Sequence, residues 1–268
     1  MLLAVIIALL VLLAITSLLT AITLRRWIAA AAHGFLLRVF SIYTRLIHYA
    51  SDEAACDVLV LFRDPTLPHI DLSPFIAAFE DVEIIDVGIN YALPLDAMGH
   101  AIEAKQALID HYMANPSKRY TLLGFGVGGY AAAYCATSLP QETLTYATTL
   151  YHKQRARALM VGTPVGGFRS AYNATIARAF FCKPLRSTLT IGSRENSAFW
   201  DNLGPLRHAY FLIADNDLRT SPSRQAPPLF STAYVETRHC TNTPWFGLCS
   251  ERNVRDAIAY LWNPTHTE

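Results

Sequence analysis

The sequence has little charge, few cysteines and no internal repeat. Of its 268 residues 16% are charged and 52% are apolar, which excludes a disordered chain or a coiled coil. The 22 basic and 21 acidic side chains form no basic stripe, so the composition excludes a nucleic-acid-binding protein. The five cysteines include no C-x-x-C pair, which favours free thiols in a reducing compartment. Cys240 and Cys249 are close enough in sequence to bridge if the domain were exported.

The first 24 residues contain no charged side chain. About 20 apolar residues, at a rise of about 1.5 Å each, span a bilayer core of about 30 Å. A cleaved signal peptide would begin with basic residues and have a shorter apolar run. Here Arg25 and Arg26 follow the run instead of preceding it. We therefore predict that residues 1–24 are a retained single-pass transmembrane anchor.

The cations on the C-terminal side of this run predict its orientation. Arg25, Arg26, Arg38 and Arg45 all follow it, and the positive-inside rule then places the globular domain in the cytoplasm. Residues 25–50 remain apolar with spaced cations, which predicts an amphipathic juxtamembrane helix that lies along the membrane or packs on the domain. Residues 51–268 are predicted to form one globular domain.

Behind the anchor, apolar runs alternate with helical segments, a pattern typical of an α/β fold with a doubly wound, mostly parallel sheet. The helices are predicted over 96–113 and 253–262, whereas the polar stretch 142–149 is expected to be irregular. The strands are predicted at residues 57–62, 82–87, 120–123, 157–161, 209–214 and 233–237.

A glycine-rich turn, Gly124-Phe125-Gly126-Val127-Gly128-Gly129, follows the third predicted strand. Its letters fit a dinucleotide fingerprint, but that motif opens the first βαβ unit of a fold, and here two strands precede it. No Lys-Ser or Lys-Thr follows, which excludes a P-loop. The turn also fits a nucleophile elbow, G-x-S-x-G, with Gly126 in place of the serine. A tight strand-to-helix turn without chemistry is the third interpretation.

An acid and a histidine follow the turn in the chain order of a hydrolase triad. Asp217 comes after the predicted strand 209–214, and His239 comes after the next strand. Asp215 is a second candidate for the acid, and the sequence does not separate the two. His239 and Asp217 have no third ligand at a recognisable spacing, so we predict neither a metal nor a cofactor. Asp64, beside Arg63, is expected to lie in a solvated loop.

From about residue 57 to residue 262 the sequence resembles an α/β-hydrolase of the lipase or esterase type. The turn at Gly126 is similar to the family's GHSMGG-like elbow, and Gly162-Thr163-Pro164 resembles a turn of lipases. The resemblance implies a nucleophile position at Gly126, with Asp217 and His239 as acid and base. It also implies an oxyanion or binding role for the Val127 amide and for the loop at Arg63.

Two departures from the family pattern decide the functional prediction. Gly126 has no side-chain oxygen to form an acyl-enzyme, and losing the nucleophile lowers turnover about 10⁶-fold. The first strand runs into Phe62-Arg63-Asp64 instead of the family's His-Gly, which alters half of the oxyanion hole. The sequence therefore predicts a membrane-anchored α/β-hydrolase-like pseudoenzyme that binds a lipid, an acyl compound or a partner in the residual pocket.

Two other functions remain open at this point. The first is an active esterase- or lipase-like hydrolase at the membrane surface, including one that uses His239 and Asp217 for general-base chemistry without a covalent intermediate. The second is a nucleotide-binding oxidoreductase, which the dinucleotide interpretation of the glycine turn would require.

Overall fold

The computed structural model describes residues 45–50, 55–65, 79, 82–140, 142–146, 149–153, 156–203, 206, 209–225, 235–241, 243, 248 and 250–262. The predicted anchor, residues 1–24, and most of the predicted juxtamembrane helix, residues 25–50, lie outside these ranges. No helix within the ranges is both long and apolar enough to cross a bilayer.

Strands and helices alternate along the described chain. The strands are β1 (Arg45–Ala50), β2 (Asp57–Phe62), β3 (Val82–Gly88), β4 (Arg119–Phe125), β5 (Glu142–Tyr146), β6 (Thr149–Lys153), β7 (Ala156–Val161), β8 (Ala209–Ala214) and β9 (Val235–Cys240). The helices are α1 (Ala97–Ala114), α2 (Gly128–Ser138), α3 (Ser170–Thr175), α4 (Ala177–Phe180), α5 (Lys183–Thr188), α6 (Arg194–Asp201) and α7 (Glu251–Trp262), and Pro222–Arg224 form a 3-10 turn.

Seven of these strands form one sheet in the order β1-β3-β2-β4-β7-β8-β9. β1 pairs with β3 in antiparallel fashion, and the other neighbouring strands are parallel. This arrangement confirms the predicted α/β fold with a mostly parallel sheet. β8 is buried along its whole length, as expected of a parallel strand that is covered on both faces.

Apolar side chains cover the sheet on both faces. Successive residues of a strand point to opposite faces, so Val58, Val60 and Phe62 of β2 join a core shared with α1 and α2. Leu59 and Leu61 belong to a second core, to which α7 contributes Val254, Ala257 and Ile258. Because both faces are filled, the loops at the carboxyl ends of the parallel strands are where a site is expected in such a sheet.

The structure differs from the sequence prediction in two segments. The helix expected over 25–50 does not include Arg45–Ala50, which form the edge strand β1. Pairing with β3 outweighs the amphipathic pattern there, since strand formation depends strongly on neighbouring strands. The stretch 142–149, expected to be irregular, contains β5 and the first residue of β6, and these two strands form an antiparallel hairpin. Threonine alternates with leucine and tyrosine over residues 143–146 of β5, and this period-2 pattern is the signal that was missed.

Candidate functional site

The glycine-rich turn lies between the central strand β4 and helix α2. Gly126 has a φ of 52°, a left-handed conformation that glycine adopts without steric penalty. Its N–H donates a hydrogen bond to the Val161 carbonyl at 2.9 Å. A Cβ atom on Gly128 would overlap the Phe62 carbonyl oxygen, and one on Gly129 would overlap the Thr163 side chain. The turn therefore has the tight, positive-φ geometry of an elbow, with Gly126 at its centre.

The Val127 amide, the predicted oxyanion donor, is already hydrogen-bonded inside the protein. Its N–H donates to Asp64 Oδ2 at 3.0 Å. Asp64 is only 1% exposed, so the expectation that it lies in a solvated loop is wrong. The residue directly follows Arg63 at the end of β2, the strand beside β4, and this position directs its carboxylate to the elbow.

Arg219 joins Asp64 to Asp217 in a buried group that we call the Asp64–Arg219–Asp217 cluster. Arg219 Nη1 donates to Asp64 Oδ2 at 3.3 Å, and Arg219 Nη2 donates to Asp217 Oδ2 at 2.8 Å. Arg219 Nε contacts both Asp217 oxygens, at 3.1 and 3.3 Å. Nη2 also donates to the Gly162 carbonyl at 3.0 Å. The guanidinium thus uses the planar donor geometry that suits Arg for buried ion pairs.

The cluster is buried. Asp217 and Arg219 are each 3% exposed. The Phe168 ring lies 5.8 Å from the Arg219 guanidinium carbon, within the range of a cation–π contact. Buried charges need such partners, because removing one leaves an uncompensated charge in a medium of low polarity.

Arg63, the other predicted binding residue, forms a separate pair beside the cluster. Arg63 Nη2 lies 2.8 Å from Asp86 Oδ2, and the Tyr91 hydroxyl donates to the Arg63 carbonyl at 3.0 Å. Burial raises the pKa of Tyr91 well above its ordinary value, and the negative charges of Asp64 and Asp86 raise it further. Tyr91 is therefore a neutral hydrogen-bond donor at physiological pH.

His239, the predicted base, contacts Asp215 instead of Asp217. Its Nδ1 lies 3.0 Å from Asp215 Oδ1, and its side chain is 55% exposed. The prediction that His239 follows the strand is wrong, because β9 continues to Cys240 and includes His239. β9 is separated from β4 by β7 and β8. Three inter-strand spacings correspond to about 14 Å. The structure thus brings Gly126, Val127 and, through Arg219, Asp217 together, and it places His239 at a distance with the other candidate acid.

Cys135 is the cysteine nearest the elbow along the chain, on α2. It is fully buried, and burial raises the pKa of its thiol to about 12. Because the thiolate is the nucleophilic form of cysteine, Cys135 offers no ready nucleophile at neutral pH.

Sequence reasoning missed the central member of the buried cluster, Arg219. Its position two residues after Asp217, in a loop that follows a fully apolar strand, is the available sequence signal. Because the contact with Asp64 spans 155 positions, no local pattern connects those two residues.

The fold is shared with solved hydrolase structures, although the sequence is not. No protein-family model matches the sequence, and no curated protein matches it. The mature Bacillus licheniformis lipase BlEst2 superposes with a TM-score of 0.57 at 10% identity, over 81% of this chain and 97% of that one. A lipase-esterase related protein from Clostridium acetobutylicum gives 0.54 at 10% identity, over 81% and 99% of the two chains.

A third solved structure extends the same likeness. It is an α/β serine hydrolase without a lid from Xanthomonas campestris, with a TM-score of 0.50 at 11% identity over 84% of this chain and 98% of that one. Together with the strand order described above, these likenesses show that the protein has the α/β-hydrolase fold. The sequence resemblance predicted this fold.

Proposed function

We propose that this protein is a membrane-anchored pseudoenzyme of the α/β-hydrolase fold that binds a lipid or an acyl compound and does not hydrolyse it through a serine. The observation that carries the proposal is the hydrogen bond from the Val127 N–H to Asp64 at 3.0 Å, beside an elbow whose central residue, Gly126, has no side chain. Both the nucleophile and a free oxyanion donor are needed for acyl transfer.

Electrostatics supports the same conclusion. In acyl transfer, negative charge develops on the substrate oxygen beside the elbow amide, and catalysis depends on donors that stabilise it. Here the amide faces the carboxylate of Asp64, which is 1% exposed. A developing oxyanion at that position would meet a like charge in a poorly screened environment. The internal carboxylate thus replaces the substrate oxygen as the partner of the amide.

The His239–Asp215 pair does not favour the alternative of general-base hydrolysis at the elbow. A general base must come within hydrogen-bond reach of the proton that it removes, about 2.6–3.2 Å, or act through one water. His239 is held by Asp215 at 3.0 Å on a strand three positions away from β4.

Two observations support the membrane and ligand parts of the proposal. The uncharged run of residues 1–24 has the length of a bilayer span. Arg25 and Arg26 follow it directly, as expected of the cytoplasmic end of a transmembrane segment. Two of the structural neighbours are described as a lipase and a lipase-esterase related protein, which suggests a lipid or acyl ligand for a domain held at a membrane surface.

The hydrolase part is tested with a serine-reactive fluorophosphonate probe on the full chain in detergent micelles. We expect no labelling and no hydrolysis of short-chain p-nitrophenyl esters above the rate of heat-denatured protein. An active lipase in the same micelles is the positive control. Covalent labelling of the native chain that is lost on unfolding would refute the proposal.

The membrane and ligand parts need separate measurements. After expression, the full chain is expected to stay in the membrane pellet when the membranes are washed with alkaline carbonate. A photoreactive fatty acid should crosslink to the protein saturably, and unlabelled fatty acid should compete. Release by carbonate would exclude the anchor, and crosslinking that does not saturate would exclude a lipid site.

A further inference from the structure

A second cluster of ionisable side chains lies at the opposite end of the sheet from the elbow. Glu83 is the second residue of β3, and it is 5% exposed. His111 Nε2, from the last turn of α1, lies 3.0 Å from Glu83 Oε1. His48 Nδ1, from the edge strand β1, lies 3.5 Å from the same oxygen. Two imidazoles and one carboxylate thus converge from three elements that are far apart in sequence.

The separations fit a metal coordination sphere. One ligand atom each from His48, Glu83 and His111 lies within 4.8 Å of the other two. In a tetrahedral zinc site with bonds of about 2.1 Å, ligand atoms are about 3.4 Å apart. The two contacts to Glu83 Oε1, at 3.0 and 3.5 Å, lie close to that value.

Two further residues contact the proposed ligands through the ligand atoms that face away from the cluster. Lys118 Nζ contacts Glu83 Oε2 at 2.9 Å, which leaves Oε1 facing the histidines. The Tyr120 hydroxyl lies 3.0 Å from His111 Nδ1, which directs the other ring nitrogen, Nε2, into the cluster. Hydrogen bonds of this kind fix the orientation and tautomer of metal-binding side chains.

The Tyr120 contacts allow the tautomer that a metal requires. Its hydroxyl also donates to the His111 carbonyl at 3.2 Å, and a carbonyl can only accept. When it donates there, its oxygen accepts from His111 Nδ1–H, and His111 Nε2 then presents a lone pair to Glu83 Oε1. Two lone pairs at 3.0 Å repel each other unless a cation lies between them. Without a cation, the other tautomer lets Nε2–H donate to Glu83.

The surroundings favour a cation that keeps contact with solvent. His111 is in the last turn of α1, where the helix macrodipole favours positive charge. The His48 side chain is 45% exposed, so water can reach a fourth coordination position.

We propose that His48, Glu83 and His111 bind one divalent transition-metal ion of the zinc class. Two imidazoles with one carboxylate suit zinc, whereas calcium and magnesium prefer oxygen ligands alone. The ion ties the edge strand β1 to β3 and α1, beside the register irregularity between His48 and Ala50. This site is independent of the elbow and of the proposed lipid binding.

The test uses the full chain in detergent micelles after its metals are removed with EDTA. Zinc is titrated in competition with a chromogenic chelator, and cobalt is then added in its place. We expect one zinc per chain and cobalt d–d absorption bands of a four- or five-coordinate site. Wild-type protein that takes up no stoichiometric zinc at micromolar concentrations overturns the proposal.

Variants separate the site from adventitious binding. His48→Gln, at a half-exposed position, and His111→Gln are each expected to abolish stoichiometric zinc binding and the cobalt bands. Tyr120→Phe removes an outer hydrogen bond and is expected to lower zinc affinity about 10- to 100-fold. His239→Gln is the matched control, because it removes a histidine paired with a carboxylate elsewhere and should leave zinc binding unchanged. Unaltered zinc binding in folded His48→Gln and His111→Gln would overturn the proposal.

Discussion

The backbone N–H of Val127 and the carboxylate of Asp64 form a hydrogen bond 3.0 Å long in the interior of the protein. The two residues are 63 positions apart, and Arg219 continues the contact to Asp217. This relationship connects the elbow to the loops that follow β2 and β8. The hydrogen bond to Asp64 gives the Val127 amide a structural role. In an active hydrolase the amide at this position would bind the substrate oxygen instead.

Removal of the shared cation should destabilise the protein more than removal of one charge. Arg219→Met leaves two buried carboxylates without a counter-charge and is expected to lower the free energy of unfolding by about 3–5 kcal/mol. Asp64→Asn retains an oxygen for the Val127 N–H and should lower it by about 1–3 kcal/mol. Urea unfolding of the two variants measures both values. An equal or reversed order would show that the guanidinium does not hold the cluster together.

A serine introduced at the elbow is not expected to produce hydrolase activity. In Gly126→Ser the hydroxyl would stand beside an amide already bound to Asp64, and His239 would remain with Asp215. We expect no fluorophosphonate labelling and a loss of stability of about 1–2 kcal/mol from the left-handed backbone. Gly192→Ala is the matched stability control, since Gly192 has a φ of 72° and a Cβ there would meet nothing within 4 Å. Labelling of Gly126→Ser would show that a complete catalytic environment survives.

The two glycines after the elbow should respond differently to a second substitution. Gly129→Ala places a Cβ against the Thr163 side chain, whereas Gly128→Ala places one against the Phe62 backbone carbonyl. Each is expected to lower the free energy of unfolding by about 1–3 kcal/mol, the typical cost of overpacking. Thr163→Gly should recover part of the loss in Gly129→Ala and none in Gly128→Ala. Thermal unfolding of the single and double variants measures this difference, and equal recovery in both would contradict it.

His100 should make the fold less stable in acid. It is 2% exposed, and burial lowers its pKa to about 4, although Asp96 partly opposes the shift. The unfolded histidine has a pKa of about 6.5, so the unfolded chain binds more protons between these values and stability falls as pH drops through them. From pH 7 to pH 5 this residue alone lowers the free energy of unfolding by about 2 kcal/mol.

The variant His100→Gln isolates that contribution. It should lose about 2 kcal/mol less stability than wild type between pH 7 and pH 5, as measured by urea unfolding at both pH values. If His100→Gln depends on pH as wild type does, His100 does not carry the effect.

The sequence was sufficient to predict a mostly parallel sheet and six of the seven strands described in it, because buried parallel strands are continuous apolar runs. The glycine-rich turn was also visible as a candidate elbow, because its four glycines fall within the six residues 124–129. The Asp64–Arg219–Asp217 cluster was not, since its contacts join loops that only the folded sheet brings together. Asp64 follows an arginine and precedes a proline, a composition typical of exposed loops, and its burial depends on a partner 155 residues away.

The same limitation applies to His48, Glu83 and His111. Their separations of 35 and 28 positions match no metal-binding pattern, and their convergence requires the antiparallel pairing of β1 with β3. That pairing was itself missed, because residues 45–50 continue an apolar, cation-bearing stretch that also fits a helix. Edge strands are hard to predict because one neighbouring strand decides their conformation.

The burial of Cys135 offers a way to follow the opening of α2, the helix that follows the elbow. Cys135 lies on α2, and its thiol is fully buried. An alkylating reagent therefore reaches the thiol only when α2 separates from the sheet. Cys56, by contrast, is exposed and reports the reagent's unhindered rate on the same molecule. The ratio of the Cys135 rate to the Cys56 rate therefore measures how often α2 opens away from the sheet, without any introduced label.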